Sequence, residues 1–187
     1  VVLRAGAAQH TPASIQPVAQ SETLVLRFGA PLPPGPASLE VEWTGRFTEG
    51  LRGLYLAGKV AATQFEAADA RRLFPCFDEP SFKARWAITV RTPPTPGLVA
   101  LSNGAVASDT VEGNLRTVKF QEMDVLSSYL IALVVGPLVP TAEATAVGVP
   151  IRTCSLPERK HLTAFAQEVA VNVLPGLTET SLLPLAV

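Results

Sequence analysis

Apolar and polar residues alternate along much of this chain, and clusters of proline and glycine cut the alternation into short runs; together these features leave few folds open. Leu39, Val41 and Trp43 alternate with Glu40, Glu42 and Thr44. Successive side chains on a strand point to opposite faces, so the spacing predicts a strand with one buried and one wetted face. Phe82, Ala84, Trp86, Ile88 and Val90, set against Lys83, Arg85 and Thr89, repeat the pattern. The runs 23–28, 51–56, 114–120 and 149–154 follow it more loosely. Residues 128–135 form a continuous apolar run, short enough for a central strand covered on both faces. The separators are turn chemistry: the proline-rich stretches 31–36 and 93–97, Asn103-Gly104, and Glu112-Gly113-Asn114. The expected fold is mostly β and antiparallel, a sandwich or a set of curved sheets.

After Ser155 the period changes. Leu162, Phe165, Val169 and Val173 recur at spacings of three, four and four, which predicts one amphipathic helix with Ser155 as its N-cap and Pro175-Gly176 as its stop. Beyond it, residues 177–187 show no period and read as a tail. The chain has 187 residues, enough for one ordinary domain with a core. Its residues are 48% hydrophobic and 17% charged, with mean hydropathy +0.29, which predicts a folded chain with an adherent face rather than a disordered one. No apolar stretch approaches the roughly 20 residues of a membrane span. Net charge is −1 with pI near 6.2, and no basic cluster exceeds Arg71-Arg72 or Arg159-Lys160, which argues against a nucleic-acid surface. The start, Val1-Val2-Leu3-Arg4, lacks a methionine and a leader pattern, so the chain reads as trimmed or excised and its compartment is left open. The two cysteines, Cys76 and Cys154, could close at most one disulfide. The two histidines, His10 and His161, stand apart without metal-ligand spacing.

Most of the chemistry is gathered in one connection, ATQFEAADARRLFPCFDEPSFKA, residues 62–84. Residues 60–65 read as a strand end, and 67–73 have the Ala, Arg and Leu content of a short helical turn before Pro75 interrupts it. Gln64 and Glu66, two apart, share a face if the extended conformation persists. Neighbouring Asp78 and Glu79 point apart on an extended chain, and Pro80 implies a rigid turn, so Asp78-Glu79-Pro80 reads as structural rather than as paired catalytic acids. Arg71 is expected to pair with an acid such as Asp78 and brace the loop; Arg72 is expected to be exposed. Cys76, between aromatics and without an activating partner, reads as an inert thiol.

The motif TQFE, then ADARRLFPCFDEPSFKARWAI, resembles the signature of the N-terminal domain of M1-family zinc aminopeptidases, the aminopeptidase N group. The likeness continues at matching distances through Leu101-Ser102-Asn103 and Ser128-Tyr129-Leu130 and covers roughly residues 24–173. The resemblance implies a saddle-like antiparallel β domain over residues 1–155, with 156–187 a helix and tail leading toward a catalytic domain. It also implies that Glu66 helps hold the substrate's free α-amino group and that Gln64 lies in the same pocket. A carboxylate that meets an ammonium in a charge-assisted hydrogen bond, worth roughly 1.5–3 kcal/mol, can mark where a peptide begins. In this family the Gly-x-Met-Glu-Asn loop, the His-Glu-x-x-His zinc helix and a transition-state tyrosine belong to the catalytic domain. None of these motifs occurs in the sequence, so zinc is expected in that other domain and no metal ligand or catalytic residue in this chain.

Two functions follow from different classes. In the first, the chain is the substrate-recognition and scaffold domain of a zinc metallo-aminopeptidase, with peptide N-termini and the catalytic domain as partners. In the second, it is a stand-alone, non-catalytic β domain for peptide binding or protein–protein interaction, a class to which the departure of residues 178–187 from the family pattern lends weight.

Overall fold

The structure, a computed structural model, describes residues 1–180, the side chains of the last two excepted. The end of the expected tail, 181–187, lies outside the described residues. The chain is mostly antiparallel β with short 3-10 turns and one C-terminal helix. It divides into two compact units, one of Val1–Tyr55, Gln64–Ala84 and Leu126–Ile131, the other of Leu56–Thr63, Arg85–Val125 and Ala132–Val187.

In the first unit Val2–Ala5 pairs with Ala8–His10 on one side and Ala37–Glu40 on the other, all antiparallel. Ser14–Val18 and Thr23–Arg27 form a hairpin. The strand expected to run through Leu39, Val41 and Trp43 ends at Glu40, and Leu39 and Trp43 are both half exposed. Alternation says which residues share a face but not whether a second layer covers it. Trp43 instead turns aside to donate its indole N–H to the Leu73 carbonyl at 2.7 Å.

The second unit holds two larger sheets. Val99–Ser102, Leu133–Gly136 and Val60–Gln64 lie side by side, antiparallel, with Leu133–Gly136 central. In the other, Leu115–Phe120 lies between Val106–Glu112 and Thr89–Thr92. Ala100, Val118 and Phe120 form the buried core, with Ile88, Val90 and Val135 packed against them. The expected continuous strand over 128–135 is broken: Ser128–Leu130 is a 3-10 turn and the strand begins only at Leu133. Burial is uneven there: Ser128 and Ile131 are buried, but Leu130 and Ala132 are exposed, so the apolar run reported neither full coverage nor backbone conformation.

The helix runs Thr163–Thr180 after a 3-10 turn over Pro157–Leu162. Ser155 is not its cap, because Cys154–Ser155 is a short strand paired to Val139–Pro140. Pro157, with its fixed φ, opens the 3-10 turn instead. Pro175-Gly176 does not end the helix, which passes through Pro175. The half-buried face of Gln167, Ala170, Val171, Leu174, Pro175 and Thr178 continues across it, and that packing offsets the local cost of an interior proline. This covered face lies against the hairpin of Ala144–Ala146 and Val149–Ile151, where Gln167 Nε2 donates to the Ala142 and Ile151 carbonyls. The stripe that announced the helix, Leu162, Phe165, Val169 and Val173, is on the bare side, with Phe165 75% exposed. The helix is therefore apolar on two faces and packs by the one without the regular stripe.

Candidate functional site

Strand Val60–Gln64 ends before the connection and Glu66 already lies in a turn, so the extended conformation that would put Gln64 and Glu66 on one face does not persist. Gln64 and Glu66 are exposed on either side of Phe65, which is 2% exposed and meets Phe74 edge to face at 5.7 Å. The Glu66–Ala67 peptide is cis. The chain then reverses: the Asp69 amide donates to the Phe65 carbonyl at 2.8 Å, and the 3-10 turn Ala70–Arg72 follows. Ala70 at its start is fully buried.

Two buried carboxylates hold this turn from below. Asp78, 3% exposed, accepts the Arg71 amide at 3.1 Å and Arg71 Nε at 2.8 Å on one oxygen, and the Ser128 hydroxyl at 2.7 Å on the other. Arg71 also reaches Glu22 with Nη1 at 3.0 Å. Burial pushes the Asp78 carboxyl up, but the hydrogen bonds from Arg71 and Ser128 outweigh it and hold the group below the usual carboxylate range. Asp69, also 3% exposed, accepts Arg52 Nε at 2.8 Å and Arg72 Nε at 2.5 Å. Burial again raises its pKa, and the bonds to Arg72 and Arg52 bring it net below the ordinary value.

Glu79 faces solvent while Asp78 is buried, so the two acids are not a pair. Glu79 and Pro80 begin a turn closed by the Phe82 amide on the Glu79 carbonyl at 2.9 Å, and the Ser127 hydroxyl donates to the Pro80 carbonyl at 2.7 Å. Burial, then the neighbouring Asp78 charge, pushes the Cys76 thiol up to about 12, the opposite of what a nucleophile needs. Both cysteines are free.

Arg72 is not merely exposed, since it clamps Asp69. The Asp69–Arg72 spacing of three is legible in sequence once a helical turn is assumed. Arg52, Ser128 and Glu22 come from distant segments, and no local signal marks them. Among the described residues no three His, Cys, Asp or Glu side chains converge to hold a metal ion. The described residues of this chain thus offer no fit for zinc. Among the described residues no helix is long and apolar enough to cross a membrane. Hollows of about 230 and 420 Å³ are lined by Lys59, Pro137, Leu156, Pro157 and Glu158, and by residues 40–43. Neither includes Gln64 or Glu66, which stand on open surface over a braced turn.

Residues 2–130 match the peptidase M1 N-terminal domain. Aminopeptidase M1-B of Oryza sativa subsp. japonica is 39% identical over 171 residues, 87% of this chain and 19% of its own length. Aminopeptidase M1 of Arabidopsis thaliana is 36% identical over 173 residues, 88% of this chain and 20% of its own. The puromycin-sensitive aminopeptidase of Caenorhabditis elegans is 30% identical over 167 residues, 83% and 17%. The chain spans about a fifth of the length of the curated relatives it matches.

Proposed function

The chain belongs to the peptidase M1 N-terminal domain family, and from that membership we propose that it is the substrate-recognition and scaffold domain of a zinc metallo-aminopeptidase. Glu66 receives the free α-ammonium group of a peptide, and Gln64 lines the same pocket. The observation that carries the reading is the contrast at one turn. Asp69 and Asp78, the acids buried beneath it, are each fully paired, whereas the Glu66 carboxylate is exposed and holds no partner among the described residues. A carboxylate on so braced a backbone is available to an incoming cation at little ordering cost. The pocket's other wall, the zinc and the hydrolytic groups belong to a catalytic domain toward which the segment 156–187 leads. The bare stripe of Leu162, Phe165, Val169 and Val173 supports such a neighbour, since a helix apolar on two faces is stable when both are covered. The same stripe would serve the second reading, a stand-alone interaction domain, if its partner were a separate protein.

The test is Glu66→Gln in the full-length protein. The substitution keeps shape and removes the charge that compensates an ammonium of ordinary pKa about 7.7–8.0. The same contact sets where the first peptide bond lies, so kcat/KM for free-amine peptides is expected to fall roughly ten- to a hundredfold, in turnover as well as binding. N-acetylated peptides should be poor substrates for both proteins, which narrows the gap between free and blocked peptides. An unchanged gap at normal thermal stability rejects the role of Glu66.

A further inference from the structure

Glu66 makes no hydrogen bond or ion pair of its own among the described residues, so its carboxylate is placed by backbone alone. On its N-terminal side the backbone is fixed by Phe65, sealed against Phe74. On its C-terminal side it is fixed by one hydrogen bond, from the Asp69 amide to the Phe65 carbonyl, which closes the turn around Glu66. Asp69 is itself immobilised. Its side chain is 5% exposed, and its two oxygens are held separately by Arg52 and Arg72. Arg52 is brought there by its neighbour Gly53, at φ +67, where an added Cβ would lie 2.8 Å from the Arg72 Cβ. Only a glycine lets that backbone close on the 70–72 turn.

We propose that Asp69 is a positioning residue for α-amine recognition: without touching the peptide, its carboxylate, clamped between Arg52 and Arg72, fixes the turn that presents Glu66. The inference rests on the reading of Glu66 given above. A carboxylate presented by a loosened turn still carries its charge, but it no longer meets the ammonium where the scissile bond requires. Displacements of about 1 Å can cost up to a hundredfold in rate.

The experiment is a double-mutant cycle in the full-length enzyme, reading kcat and KM for a free-amine peptide and its N-acetylated form. Asp69→Asn is expected to lower kcat/KM for the free peptide roughly tenfold, and Arg52→Gln, which leaves Arg72 in place, about threefold. Arg52→Lys should recover part of that loss. Residual hydrolysis of the acetylated peptide should be unchanged in each. In a Glu66→Gln background the effects of Asp69→Asn and Arg52→Gln should shrink below about twofold, because the turn then has no charge to aim. Losses that are equal on free and blocked peptides, or that persist in full in the Glu66→Gln background, overturn the positioning role. If Glu66→Gln alone is silent, the amine reading fails and the inference falls with it, an outcome distinct from an additive cycle. Should Asp69→Asn not fold, Arg52→Gln decides, since Arg52 is largely exposed and Arg72 still holds the other oxygen of Asp69 after its loss.

Discussion

Asp78 and Asp69 are both buried beside the turn that follows Glu66. Each is a buried acid whose cost of desolvation is met by hydrogen bonds, from Arg52 and Arg72 at Asp69 and from Arg71 and the Ser128 hydroxyl at Asp78. Replacing Asp78 by Ala leaves Arg71 Nε and the Ser128 hydroxyl without their acceptor, and Arg71 keeps only Glu22. The loss is expected to be about 2–4 kcal/mol, measured by chemical denaturation. The same pairs set the response to acid. Both carboxyls have folded pKa values below the ordinary value of about 3.9. The unfolded chain therefore takes up protons first as pH falls. The stability these pairs contribute is complete above about pH 4–5 and is lost as pH drops through the lowered folded values. Denaturation midpoints measured from pH 7 down to pH 2 should fall below about pH 4, and the fall should be shallower in Asp78→Asn. A profile unchanged by that substitution would show that the Arg71–Asp78–Ser128 cluster contributes nothing to acid sensitivity.

The C-terminal helix carries a different lesson. Its most regular apolar series is the bare one, and its packed face is the less conspicuous run through Ala170, Val171 and Leu174. Substitution of Phe165 or Val169 by Ser should change the stability of this chain by no more than about 0.5 kcal/mol. Leu174→Ala should cost more than about 1 kcal/mol, because it empties a packed position. Both are read from urea denaturation. The polar substitutions should also reduce self-association in sedimentation, since they remove exposed apolar side chains of the stripe. A large loss of stability from Phe165→Ser would mean that the stripe is covered within the chain.

For the molecule as a whole, the role proposed for the braced turn is to supply a charge and an orientation, and a hydrolase also needs an activated water and a general base. The described residues hold no cluster of metal ligands. The isolated 187-residue chain is therefore expected to bind no stoichiometric zinc after metal stripping and to release no amino acid from peptides. One tightly held zinc per chain, by elemental analysis, would contradict this and place a metal site within the domain itself.

Period-two alternation and turn residues, with the three- and four-residue spacing after Ser155, determined that the chain would be mostly antiparallel β with a terminal helix, because those signals are local and repeat along the sequence. The long motif from Thr63 to Ala84 likewise identified the family, since a pattern of that length carries its own register. Tertiary structure alone decided which faces are covered. Leu39, Trp43 and the helix stripe are apolar at regular spacing yet exposed, because burial depends on a second layer that spacing does not encode. It alone also brought Arg52 to Asp69 and Ser128 to Asp78. Those pairs join residues 17 and 50 positions apart, and contacts at such separations are set by how the chain returns on itself rather than by anything adjacent in the sequence.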